Sequence, residues 1–159
     1  MLDIRQFRDH IVRPVLRAME AHSPAAEALL LGTAAQESRC TYLCQLGGGP
    51  ALGLYQMEPA THDDIWNSYL AFRQPLADAV SAWLVPGKSR TEQLVWNLAY
   101  ATAMCRVHYQ RVPEALPAAT DVAGLARYWK RHYNTVQGAG TEDEFIGNFD
   151  RARIGSIEV

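Results

Sequence analysis

The stretch from Ser23 to Glu37 carries a helix start and a long run of mainly helix-forming residues, and the rest of the chain must fold around it. Ser23 followed by Pro24 is a strong helix start: a capping hydroxyl, then a residue whose backbone is preset for the first helical position. Residues 25–37 are rich in Ala and Leu, which predicts a helix packed tightly in a core. Gly32 and the small residues Thr33, Ala34 and Ala35 would let another element approach that helix closely. A chain built around such a helix has to supply further apolar faces to cover it.

It does so mainly with helical patterns. Ile4, Phe7, Ile11, Val15, Leu16 and Met19 recur every three or four positions, the spacing of an amphipathic helix, and Pro14 is expected to kink or divide it. Gly47, Gly48, Gly49 and Pro50 end any regular structure. Residues 53–57 then read as a short extended segment before a helix that begins near Pro59. Further helices are predicted over 75–84, 91–111, 121–133 and 142–152, the last opened by the capping-box spacing of Thr141 and Glu144. Only one or two short strands can be fitted in. With no repeat and no shift in composition, the 159 residues read as a single, mainly α domain. A chain of this size buries roughly 70% of its unfolded surface, so neither a disulfide framework nor a metal is needed for stability.

Composition excludes several classes of function. Fifteen Lys and Arg against seventeen Asp and Glu give a net charge of −2, so no whole-molecule field draws the protein to nucleic acid. No apolar run is long enough for membrane insertion, and Met1 to Arg5 lack the form of a signal peptide. Cys40, Cys44 and Cys105 are odd in number and read as reduced, semi-buried thiols. Cys40 and Cys44 have one-face helical spacing but no matching Cys or His pair, so no metal site is expected, and no cofactor either.

Glu37 falls in the last turn of the Ala-rich helix. A carboxylate near the negative end of a helix dipole and beside a core has its ionised form disfavoured twice. It tends to keep its proton, the state a general acid needs near neutral pH. After it come Gly53-Leu54-Tyr55-Gln56, then Pro59-Ala60-Thr61, and much later Tyr133-Asn134. In order and approximate spacing these elements resemble those of the lytic transglycosylases and related lysozyme-like enzymes, including those of bacteriophages, that cleave peptidoglycan. The resemblance covers about residues 25–140. It implies a lysozyme-like fold with at most a short β element beside the active-site cleft. Two departures stand out: Tyr55 replaces a usual Met, and Cys40-Thr41-Tyr42 replaces a common Phe-Asn-Pro.

The resemblance implies Glu37 as catalytic acid and base, with Ser38, Gln56, Tyr133 and Asn134 binding substrate; Tyr42 and Tyr55, aromatic and close in sequence to the proposed cleft, add sugar-stacking platforms to that set. It also implies cleavage between N-acetylmuramic acid and N-acetylglucosamine, the substrate's acetamido group stabilising the cation and the C6 hydroxyl closing a 1,6-anhydro ring. Gln56, with donor and acceptor, suits an N-acetyl or hydroxyl group. Tyr133 could hold Glu37 by a hydrogen bond or be a core aromatic; Asn134 could orient sugar or loop, or cap a helix end. Glu58, two residues after Gln56 in an extended segment, would share its face and serve as a second carboxylate for hydrolysis. Asp63 and Asp64 read as first-turn residues that complement a helix dipole. Trp83, Trp96 and Trp129 read as core, Tyr42 and Tyr55 as groove, and His62, His108 and His132 as ordinary residues. The expected partners are peptidoglycan strands and other virion or lysis proteins of a phage, with the chain in a virion or the host cytoplasm and acting at the cell wall. A catalytically silent wall-binding module and a chitinase-like hydrolase are the competing readings.

Overall fold

The computed structural model describes residues 1–134 and 138–156, so 135–137 and 157–159 of the expected 1–159 domain lie outside the described residues. Its helices are α1 (Ile4–Phe7), α2 (Arg13–Ala18), α3 (Pro24–Ser38), α4 (Pro59–Asp64), α5 (Gln74–Ser81), α6 (Arg90–Trp96), α7 (Leu98–Gln110), α8 (Val122–Trp129) and α9 (Glu142–Arg151). Helix α3 is the axis of the molecule, buried without a break from Ala26 to Ala35. Ser23 Oγ accepts from the Ala26 amide at 3.0 Å and Pro24 fills the first helical position, as the sequence predicts. Helices α7, α8 and α9 pack around α3. A Cβ on Gly32 would lie 2.5 Å from Phe145 Cζ, so only glycine allows α9 this close. Both halves of the α9 capping box form, with Thr141 Oγ1 on the Glu144 amide and Glu144 Oε2 on the Thr141 amide.

Several expectations are corrected. Pro14 does not break the N-terminal helix: a π-helical turn, Arg8–Val12, joins α1 to α2 directly ahead of it. The wider turn absorbs the carbonyl that the proline ring leaves without a donor. The helix expected over 91–111 is two. Asn97 leaves helical geometry at φ −95° and ψ 88°, its Oδ1 accepts from the Tyr100 amide, and its Nδ2 donates to the Trp83 carbonyl. Asp63 and Asp64 end α4 rather than begin it, and they pair with His62 and Arg111. Beyond α4 the chain stays helical through a π turn, Ile65–Tyr69, and a 3₁₀ turn, Leu70–Phe72.

Residues 53–57 form a tight turn instead of an extended segment. Gly53 (φ 73°) and Gln56 (φ 47°) are both left-handed, and Leu52 and Met57 exchange backbone hydrogen bonds at 3.0 Å. A Cβ on Gly53 would lie 2.0 Å from the Leu94 carbonyl oxygen, so packing of the turn on α6 requires glycine. Among the described residues the extended structure amounts to two isolated antiparallel bridges, Cys44 to Leu52 and Leu52 to Met57. Cys40 and Cys105 are buried and Cys44 is exposed; the first two are not semi-buried, and neither Cys40 nor Cys44 lies on a helix. Trp129 is core, but Trp96 is 49% exposed. No described helix is long and apolar enough to cross a membrane.

Candidate active-site cleft around Glu37

Helix α3 delivers Glu37 to a cleft of about 580 Å³. The helix ends at Ser38 because Arg39 turns left-handed (φ 53°), and Glu37, one residue before that end, is left at the boundary between core and cleft. Its carboxylate keeps partial contact with the cleft, but dense protein surrounds it. Desolvation is the largest influence and raises its pKa from 4.5 to about 7. The hydrogen bond from Trp129 Nε1 to Glu37 Oε1, 2.8 Å long, opposes that rise without cancelling it. Trp129 is fully buried and packs at a tilt against Phe145, with ring centroids 5.4 Å apart. One carboxylate oxygen is therefore pinned by a rigid indole, which leaves Oε2 as the oxygen to carry the proton.

Glu37 shares the cleft with Gln56, Glu58, Tyr42, Tyr133 and Asn134. Gln56 reaches it from the left-handed corner of the turn, where its Nε2 donates to the Gly53 carbonyl at 2.8 Å. That bond occupies one donor and leaves the amide oxygen for a ligand. Glu58 arrives by a different route from the one expected, since Gln56 and Glu58 do not alternate along a strand. It occupies the N-cap position of α4, is exposed, and makes no capping hydrogen bond. Asn134 Oδ1 accepts from Lys130 Nζ at 2.7 Å, and the same ammonium donates to the Gly138 carbonyl. Asn134 thus ends a π-helical turn, Lys130–Asn134, and is held at the cleft edge by the lysine that opens it. Tyr42 is 37% exposed on the rim.

Three of the expected contacts fail. Tyr55 is not a groove residue: it is 2% exposed, and its hydroxyl is paired with Thr102 Oγ1 at 3.1 Å inside the core. The tight turn faces Tyr55 inward, where alternation along an extended segment would have left it free to line the groove. Ser38 is buried too, and its hydroxyl proton is committed to the Ala34 carbonyl at 3.1 Å. Tyr133 lines the cleft, but its hydroxyl donates to the Tyr55 carbonyl at 2.7 Å and not to Glu37. Packed edge-on to His108 and tilted against Tyr109, with ring centroids 4.7 and 5.4 Å away, it clamps the turn that carries Gln56.

Two side chains matter here that sequence reasoning treats as ordinary. Trp129 is the partner of Glu37, 92 positions away, and its helical spacing marks only a core residue. His108 lines the cleft with its protonation fixed by its neighbours. Its Nε2 donates to the His132 carbonyl at 2.9 Å, and Arg111, which can only donate, gives a hydrogen bond to Nδ1 at 3.1 Å. Burial, followed by the Arg111 charge, lowers its pKa to about 4, so it is a neutral wall of the cleft. Among the described residues no group of three or more His, Cys, Asp or Glu is placed to hold a metal ion. Comparison of the chain with protein-family models, with curated proteins and with solved structures gives no match.

Proposed function

We propose that this chain is a peptidoglycan-cleaving enzyme of lysozyme-like fold, acting as a lytic transglycosylase with Glu37 as acid and base. The observation that carries the reading is a carboxylic acid with a pKa of about 7, oriented by a buried indole and opening on a cleft that also holds an amide and a second carboxylate. Glycosidic cleavage needs a proton on the departing oxygen and compensation of the positive charge left on the sugar. Glu37 Oε2 gives the proton as the C–O bond breaks. The substrate's acetamido group then stabilises the cation. The resulting carboxylate takes the proton from the C6 hydroxyl as its oxygen bonds to C1, which closes the 1,6-anhydro ring and returns Glu37 to its starting form. Gln56 offers its amide oxygen to an N-acetyl or hydroxyl group of the sugar. The chain would act on the wall from a phage virion or from the host cytoplasm, alongside virion or lysis proteins.

Glu58 in the same cleft favours a second reading, a hydrolytic muramidase in which Glu58 activates water. Mass analysis of products from purified peptidoglycan separates the two. Anhydro ends, lighter by one water, are the expected result, and ordinary reducing ends place the protein in the hydrolytic class. Chitin run in parallel tests the chitinase-like alternative. No product from either polymer leaves a silent wall-binding module.

A further inference from the structure

A second cavity, of about 660 Å³, adjoins the cleft and shares Glu37, Tyr42 and Leu46 with it. The two have different chemistry. Among the described residues no Lys or Arg lines the main cleft, whose ionisable side chains are Glu37, Glu58, the neutral His108 and Tyr side chains. The adjoining lobe brings Arg39 from the end of α3 together with Arg151, Asp143 and Glu144 from α9. All four are exposed. Its floor is tied down: Asn148 Nδ2 donates to Gln36 Oε1 at 2.7 Å, and Arg151 donates to Asn148 Oδ1. Asn148 therefore fixes the Arg151 guanidinium relative to the residue that precedes Glu37.

Neutral sugars have no use for two guanidinium groups and two carboxylates. A peptide does, because it carries carboxylates for Arg forks and amino groups for acidic side chains. Wall glycan bears short peptides of that kind on alternate sugars. We infer that the α3–α9 lobe binds the charged peptide substituent of the sugar next to the cleaved bond, so that the enzyme selects peptide-bearing strands over bare glycan. This rests on the glycan-cleaving reading of Glu37. Arg39 and Arg151 take peptide carboxylates, and Asp143 takes an amino group. Glu144 contributes less, because its Oε2 already holds the Thr141 amide.

The test uses two substrates, peptidoglycan strands with their peptides and the same strands stripped by an amidase. Wild-type protein is expected to cleave the peptide-bearing strands with kcat/KM about tenfold higher, the size of one solvent-exposed charge-assisted hydrogen bond. Arg39→Asn removes the charge while suiting a left-handed backbone, and Arg151→Gln removes the other charge on a different helix. Each is expected to lower the preference severalfold, so a failure of one variant to fold leaves the other as the readout. Equal cleavage of both substrates by wild type, or an unchanged preference in both variants, overturns the inference and leaves glycan cleavage standing. Cleavage of neither substrate by wild type overturns the reading of Glu37 itself.

Discussion

The wall of the cleft that carries Glu37 and the wall that carries Gln56 and Glu58 are held by different forces. Glu37 ends a helix whose neighbours are pressed against it on several sides, and its partner Trp129 is fully buried. Gln56 and Glu58 belong to a run of backbone turns, held by Gly53 N–H to the Leu43 carbonyl at 2.8 Å, Gln45 N–H to the Ala51 carbonyl at 3.1 Å, and the Leu52–Met57 pair. The buried Leu54, Tyr55 and Met57 anchor that run, while the half-buried Gln56 and the exposed Glu58 project from it into the cleft. The acid thus stands where the protein around it can set its pKa, and the ligand-contacting amide stands on the corner of a turn. Substitutions on the packed wall should therefore damage the chemical step, and those on the turn wall should damage binding.

The largest expected effect is that of Glu37→Gln, a loss of about 10³-fold or more in glycan cleavage by a folded protein, read from turnover with purified peptidoglycan. The same variant has a pH-dependent effect on stability. Because the folded pKa of Glu37 is raised from 4.5 to about 7, the acid's contribution is fully present below about pH 4.5 and is lost as pH rises through about 7. Glutamine has no such loss. Thermal melts should show Glu37→Gln gaining on wild type by about 2 kcal/mol between pH 5 and pH 8. Equal melting temperatures across that range would mean that the carboxyl is well solvated.

Trp129→Phe comes next. It keeps an aromatic ring against Phe145 but removes the N–H that orients Oε1 and lowers the acid's pKa. The expected loss in kcat is between about tenfold and a hundredfold, with little change in KM, and the alkaline limb of the pH profile should move upward. A purely structural role would lower the melting temperature without moving that limb. On the turn wall, Gln56→Ala should raise KM by about tenfold and change kcat much less. Steady-state kinetics on soluble glycan fragments separates the two patterns. If both variants act on kcat alone, the division between the walls fails.

The same division governs what could be read from the sequence. Helix α3, its Ser23 cap, the close approach at Gly32 and the capping box of α9 all follow from neighbours within a few positions, and these were legible. The turn wall was not, because left-handed geometry at a non-glycine residue such as Gln56 leaves no mark in the pattern of apolar and polar residues. Once the segment is read as extended, Tyr55 is free to be assigned to the groove, and Gln56 and Glu58 share a face by alternation. The burial of Tyr55 and the separate route of Glu58 to the cleft both follow from that one turn. Trp129 was hidden for another reason: apolar periodicity marks a tryptophan as core but cannot say that its one polar atom meets a carboxylate far along the chain.

The smallest expected effect probes the packed wall away from the chemistry. Gly32 faces α9, four residues and so about one turn before Gln36, and Asn148 of α9 hydrogen bonds to Gln36. In an open helix, Gly→Ala gains about 1 kcal/mol through the backbone. Here the new methyl would sit 2.5 Å from Phe145 Cζ and 3.0 Å from Phe149 Cδ2, and overpacking costs about 1–3 kcal/mol. The two terms oppose each other, and the clash should win because Phe145 is confined by Trp129 on its other side. Gly32→Ala is expected to destabilise the protein by about 1 kcal/mol in urea melts while leaving KM for glycan fragments unchanged. A push on Phe145 is also a push on Trp129, so a small fall in kcat should accompany the loss. Destabilisation with no change in kcat would show that the indole is held independently of α9, and that the packed wall is two supports instead of one.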